Sequence, residues 1–151
     1  MLMKNEYLLK VHECYEKPVN ELKEHVKKLR KKLSIDDFKR HPDVKFTARL
    51  RKASLETIPK NPDEKDYKLH GNLRKFRRYK QGLKRYRMFF SFSNTPPIIL
   101  YLYLNDKSTL RKAKDKNNPY EIFSKKVEKG EFSSDPSDPK IQEWIKDYLG
   151  Q

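Results

Sequence analysis

Ile98-Ile99-Leu100-Tyr101-Leu102-Tyr103-Leu104 is apolar or aromatic at every position. A strand with one solvated face alternates apolar and polar residues, so a run apolar throughout has to be covered on both faces. This stretch predicts the central strand of a sheet with helices packed over it. Two β-rich runs precede it, Phe76-Arg77-Arg78-Tyr79-Lys80 and Arg85-Tyr86-Arg87-Met88-Phe89-Phe90-Ser91-Phe92, with breakers at Gly82 and at Pro96-Pro97. Three antiparallel strands in a meander follow.

Working outward, Glu6 to Tyr15 mixes β-formers with polar residues and reads as an N-terminal strand. Lys17-Pro18 supplies a helix-starting proline, and Val19, Leu22, Val26, Leu29 and Leu33 recur at helical spacing. Ser34 with Asp36 and Asp37 caps or turns the chain. A second helix is expected from about Pro42 to Thr57, with Phe46, Leu50 and Ala53 on one side, stopped by Pro59 and Pro62. Residues 61–70 read as a loop. Beyond the sheet, a basic loop runs through Lys116, and Pro119-Tyr120-Glu121-Ile122-Phe123 opens a short helix ending near Gly130. Residues 131–138, rich in Ser, Asp and Pro, read as a linker. Ile141, Trp144, Ile145, Tyr148 and Leu149 then predict a terminal amphipathic helix over 139–149, part of the core or a docking surface. The expectation is one α+β domain over residues 1–151.

Composition narrows the function. The chain has 151 residues with 36 Lys and Arg against 21 Asp and Glu, a formal charge of +15. So large an excess calls for an anionic partner. One cysteine, Cys14, closes no disulfide within the chain, which suits a reducing, cytoplasmic setting. No stretch reads as a signal peptide or approaches the ~20 apolar residues of a membrane span. Between Gly71 and Asn105 there is no acidic residue, while Arg74, Lys75, Arg77, Arg78, Lys80, Lys84, Arg85 and Arg87 cluster in its first half. Interleaved with Tyr79, Tyr86 and Phe89, these cations offer phosphate contacts beside stacking surfaces, which favours RNA, since no duplex-reading motif is present. Alternation along the strand puts Arg85 and Arg87 on one face, opposite Tyr86, Met88, Phe90 and Phe92.

Metal and cofactor chemistry find no support. His12, His25, His41 and His70 lie in unrelated segments, and neither CxxC nor HExxH spacing, a serine elbow nor a Gly-rich phosphate loop occurs. What suits these residues is chemistry in which RNA supplies its own 2′-OH nucleophile and the protein moves protons and stabilises a phosphorane.

Arg85-Tyr86-Arg87-Met88-Phe89-Phe90, Ile98-Ile99-Leu100, Leu104-Asn105-Asp106-Lys107-Ser108-Thr109-Leu110-Arg111 and Tyr120-Glu121-Ile122-Phe123-Ser124-Lys125 together resemble the YhaV toxin family, the ribonuclease half of PrlF-YhaV type II toxin-antitoxin systems in the RelE/ParE superfamily. A weaker likeness extends over the N-terminal strand and both helices, up to about Glu131. The resemblance implies a RelE-like fold with an N-terminal strand, two antiparallel helices, a twisted antiparallel sheet and C-terminal helices. It also implies a metal-independent endoribonuclease, an mRNA interferase that inhibits translation and growth, with an AbrB-type antitoxin and no cofactor. Assembly as a homo-oligomer within the toxin-antitoxin complex is compatible with it.

Residue by residue, the resemblance puts Arg87 at the strand arginine that binds the scissile phosphate and Arg111 at the second phosphate-stabilising arginine. Tyr120 takes the place of the tyrosine that shuttles a proton or stacks on a base. Arg77, Arg78, Lys80, Lys84, Arg85 and Lys112 are then candidate RNA contacts. Asn105 and Asp106 either position a ribose or orient Arg111, or form an ordinary turn. Two other readings stand beside it: a non-catalytic RNA- or ribosome-binding protein that uses the same basic sheet, and a ParE-like protein acting on gyrase by protein contact, which the basic, aromatic strand disfavours.

Overall fold

The computed structural model describes residues 6–106 and 118–148, so Arg111 and Lys112 lie outside the described residues. Five strands form one sheet in the order β2-β3-β4-β1-β5, comprising β1 (Leu8–His12), β2 (Arg77–Tyr79), β3 (Met88–Asn94), β4 (Pro97–Leu104) and β5 (Ile145–Asp147). The apolar run is the middle strand, and Ile98 through Leu104 are all buried. β2, β3 and β4 form the antiparallel meander. β1, however, joins β4 in parallel. A parallel partner needs a crossover, and the helices that follow β1 provide it.

Helices cover one face and a helix with the C-terminal segment covers the other. On the first side, α1 (Glu13–Lys32), α2 (Ile35–Arg40) and α3 (Pro42–Lys52) bury Tyr15, Val19 and Leu50 against Met88, Phe90, Ile99 and Tyr101. α3 continues through a wide turn, Ala53–Thr57, into α4 (Ile58–Lys60). The expected second helix therefore forms, preceded by the short α2, where Ser34 caps the Asp37 N–H. On the second side, α5 (Pro119–Glu128) puts Phe123 into a cluster with Phe76, Phe89 and Phe132.

Three expectations change. The first helix starts at Glu13 and carries Pro18 inside it, because the His12 ring accepts from the Cys14 N–H at 3.0 Å and caps the chain where the strand ends. Residues 131–138 are more than a linker, since Phe132 is 4% exposed and edges onto His12. The terminal stripe is not a helix. Pro139–Trp144 is a 3-10 turn and β5 pairs antiparallel with β1. β1's outer edge has N–H and C=O groups to satisfy, and a strand satisfies them where a helix could not. The turn before this strand sends Ile141 and Trp144 to one core, and Tyr148 just after it enters the other, where its hydroxyl meets Ser54 at 2.8 Å.

One irregularity sets the active end of the sheet. Along β3 and β4 the partners run Asn94↔Pro97 to Phe90↔Tyr101, then shift to Phe89↔Tyr103 and Met88↔Leu104. Leu102 is the extra residue of a bulge, which is why Leu102 and Tyr103 both enter the α5-side core. Continued without the bulge, the pairing would set Leu104 opposite Arg87; with it, Asn105 stands there.

Candidate active site

Arg87 sits one residue before β3, where the chain leaves a tight turn. Gly82 (φ +71°) and Lys84 (φ +56°) both adopt left-handed backbone there. For a lysine that geometry costs on the order of 1 kcal/mol. It aims the Lys84 carbonyl at Arg87 Nη1, which also donates to the Tyr86 carbonyl at 2.8 Å. The Arg87 backbone N–H donates to Asn105 Oδ1 at 2.7 Å, and Asn105 Nδ2 donates to the Arg85 carbonyl at 3.2 Å. Backbone and guanidinium of Arg87 are thus both fixed.

Its Nε faces α5. Arg87 Nε donates to the Tyr120 hydroxyl at 3.2 Å, and Arg78 Nη1 donates to the same oxygen at 3.3 Å. Tyr120 is the second residue of its helix, behind Pro119. Asn118 Oδ1 caps the Tyr120 and Glu121 N–H groups at 2.9 and 3.1 Å, and the ring stands edge-on to Phe89. Arg78 is held by the Asp66 carbonyl at 2.7 Å, while its Nε is buried without a hydrogen-bond partner among the described residues. Two cationic forks thus converge on one phenol, an arrangement able to grip a phosphoryl group beside an O–H.

Arg78 and Tyr120 open onto a groove of about 640 Å³ that Lys80, Lys65, Lys68 and His70 also line. The 65–70 loop lies over β2 through a bridge between Lys68 and Arg77 and through Tyr67, which packs on Tyr79 and Phe90. Burial pushes the Tyr67 hydroxyl up to about 12, so it serves as an anchor rather than a proton donor. Lys65, Lys68 and His70 gave no signal in the sequence, because only the pairing of their loop with β2 brings them to Tyr120.

The other expected contacts divide. Arg77 points to the opposite face of β2, lies over the Phe92 ring and pairs with Asp63 at 2.9 Å, so it clamps the sheet instead of lining the groove. Asn105 is fully buried and braces the chain at Arg87. Lys84 and Arg85 are exposed in the turn, before the strand begins, so strand alternation does not apply to Arg85; both line a second hollow with α3. Asp106 is exposed beside Asn105. Arg111 and Lys112 cannot be placed, since both lie outside the described residues. Among the described residues no group of three His, Cys, Asp or Glu side chains could hold a metal ion, and no helix is long and apolar enough to cross a membrane.

Fold and groove together define a small, strongly basic α+β protein with a cationic groove beside a phenol. The chain belongs to the YhaV toxin family: the family model, described as a toxin with endonuclease activity of a toxin-antitoxin system, matches residues 9–142. It is similar to the ribonuclease toxin YhaV of Escherichia coli strain K12, with 29% identity over 137 residues, covering 87% of this chain and 88% of the relative. The toxin YhaV of Escherichia coli O157:H7 matches to the same extent. No solved structure matches the chain at a significant level. The protein is therefore an endonuclease toxin, with an antitoxin as its counterpart.

Proposed function

We propose that this toxin is a metal-independent endoribonuclease that acts in the cytoplasm on mRNA and thereby inhibits translation and growth. The observation that carries this reading is the convergence of Arg87 and Arg78 on the Tyr120 hydroxyl at the mouth of a cationic groove. The similarity to a relative named as a ribonuclease toxin supports RNA as the substrate. In the proposed step the 2′-OH loses its proton and attacks the adjacent phosphorus. The P–O5′ bond breaks, and the products are a 2′,3′-cyclic phosphate and a protonated 5′-OH. Arg87 neutralises the phosphorane oxygens, with Arg78 beside it, and Tyr120 moves a proton. Arg111 is proposed as a further phosphate-stabilising cation, with Lys112, Lys80, Lys84 and Arg85 as backbone contacts. An AbrB-type antitoxin is the proposed partner.

The test is incubation of the purified protein with a long mRNA in EDTA, with and without ribosomes, beside Arg87→Ala, followed by analysis of product ends. Cyclic-phosphate ends that vanish in the variant support the reading, and the ribosome lanes separate free from ribosome-bound cleavage. Intact RNA in every lane, with binding retained, would replace it by a binding module.

A further inference from the structure

A second groove lies on the other side of the turn that cradles Arg87. Its floor is Leu22 of α1, Pro42 and Phe46 of α3, and Leu83 and Tyr86 of the turn, with the Phe46 and Tyr86 rings 4.5 Å apart. The hollow measures about 520 Å³, room enough for a bulky apolar side chain. Arg40, Lys45, Arg49, Lys84 and Arg85 stand around it. Its carboxylate, Asp43, is engaged by His25 Nε2 at 2.8 Å. Beyond Tyr86 the groove runs into a neighbouring hollow that shares Leu22 and His25, and there the charged side chains are Glu21 and Asp106. One end is cationic and the other anionic. A nucleic-acid strand carries the same charge at every phosphate and would be repelled at the second end, so RNA can meet only the Lys84–Arg85 rim, whereas an amphipathic polypeptide with its acidic residues at one end fits the whole length.

We infer that this groove receives an acidic, apolar-anchored segment of the antitoxin, and that its occupation acts on Arg87 through the Leu83–Tyr86 turn. Family membership supplies the antitoxin, and the charge of +15 calls for an acidic one. The coupling follows from shared residues. Lys84 and Tyr86 line the groove, the Tyr86 ring against Phe46, and both hold Arg87 Nη1 with their carbonyls. Anything that presses on this wall moves the cradle, so the arginine can be misaligned without the RNA groove being filled. Binding at this groove is independent of the RNA chemistry, and only its consequence for cleavage rests on the role proposed for Arg87.

The test uses the full chain and its co-expressed antitoxin. Arg40→Glu with Lys45→Glu, two exposed positions outside the RNA groove, should weaken antitoxin binding at least tenfold and leave RNA cleavage within about twofold of wild type. An unchanged melting transition certifies the variant, and Arg40→Ser with Lys45→Ser carries the same comparison if the reversal does not fold. Unchanged antitoxin affinity overturns the proposal, whether hydrogen exchange then places the antitoxin over residues 65–70 or the variant loses RNA binding or self-association instead. In the wild-type titration the Arg87 Nε–H resonance should shift as antitoxin is added; a resonance that stays in place overturns the coupling. Antitoxin affinity reads out even if the chain cleaves no RNA, so failure of the nuclease reading is told apart from failure of this one.

Discussion

Two grooves are linked to Arg87, one through Tyr120 and the other through Lys84 and Tyr86, and they are built from different chemistry. The one under Tyr120 is polar, with Lys65, Lys68, Arg78 and Lys80 set against the single carboxylate of Asp66 and little apolar floor. The one beside α3 has a continuous apolar floor and segregated charges. A polar, like-signed channel grips any polyanion and releases it as salt rises; an apolar floor with charges of both signs selects one partner and holds it against salt. The same basic stretch, residues 74–87, supplies both. Neighbours within it part company, since Arg78 enters the polar groove while Arg77 turns to the other face and pairs with Asp63.

Substitutions can break this division or sharpen it. The largest effect is expected from Arg87→Ala, which should lower cleavage on the order of 10³-fold, about 4 kcal/mol of transition-state stabilisation, measured as single-turnover rates on a defined RNA. Tyr120→Phe keeps the ring on Phe89 but removes the oxygen that both arginines address. A loss of about 10²-fold in kcat with an unchanged melting temperature is expected, and cleavage at the wild-type rate would remove Tyr120 from the chemistry. Asn105→Ala leaves the Arg87 N–H and the Arg85 carbonyl without the buried amide. It should cost about 1–3 kcal/mol in urea unfolding and lower kcat more than it raises KM.

Smaller effects discriminate the surfaces. Lys80→Ala should weaken RNA binding evenly across sequences and reduce the salt slope by about 0.7, whereas Arg77→Ala should leave the slope alone and cost about 1 kcal/mol or less of stability. His12 provides a pH test away from both grooves. Its Nδ1 accepts from the Cys14 N–H, so Nε2 donates to the Glu131 carbonyl at 3.0 Å. Burial pushes its pKa down, and the neutral ring is the form that caps the helix. A base lowered by folding stabilises fully above its unfolded value near 6.5 and progressively less as pH falls below it. The melting temperature should therefore drop below pH 6.5 in the native chain and less steeply in His12→Asn.

Much of this architecture is legible from patterning, because the central strand, the hairpin beside it and the helix at Pro119 depend on residues close in sequence. The start of α1 was hidden because histidine is an unusual cap and Pro18 mimics a first-turn proline. β5 was hidden because Ile141, Trp144, Ile145 and Tyr148 fit a helical stripe as well as an alternating strand, and only the edge of β1 decides between them. At the site, Arg87 and Tyr120 could be nominated from motif spacing, yet the brace at Asn105 depends on a one-residue bulge at Leu102 that no local signal announces. Lys65, Lys68 and His70 depend likewise on a loop lying over a strand that follows it.

The closure of the sheet by β5 bears on how any protein can take hold of this toxin. Among the described residues both outer strands, β2 and β5, are only three residues long. So short a border gives an incoming strand little ladder to extend along β2 and β5 themselves. Short outer strands shift discrimination toward side chains, and the two grooves are where side chains of contrasting chemistry are concentrated.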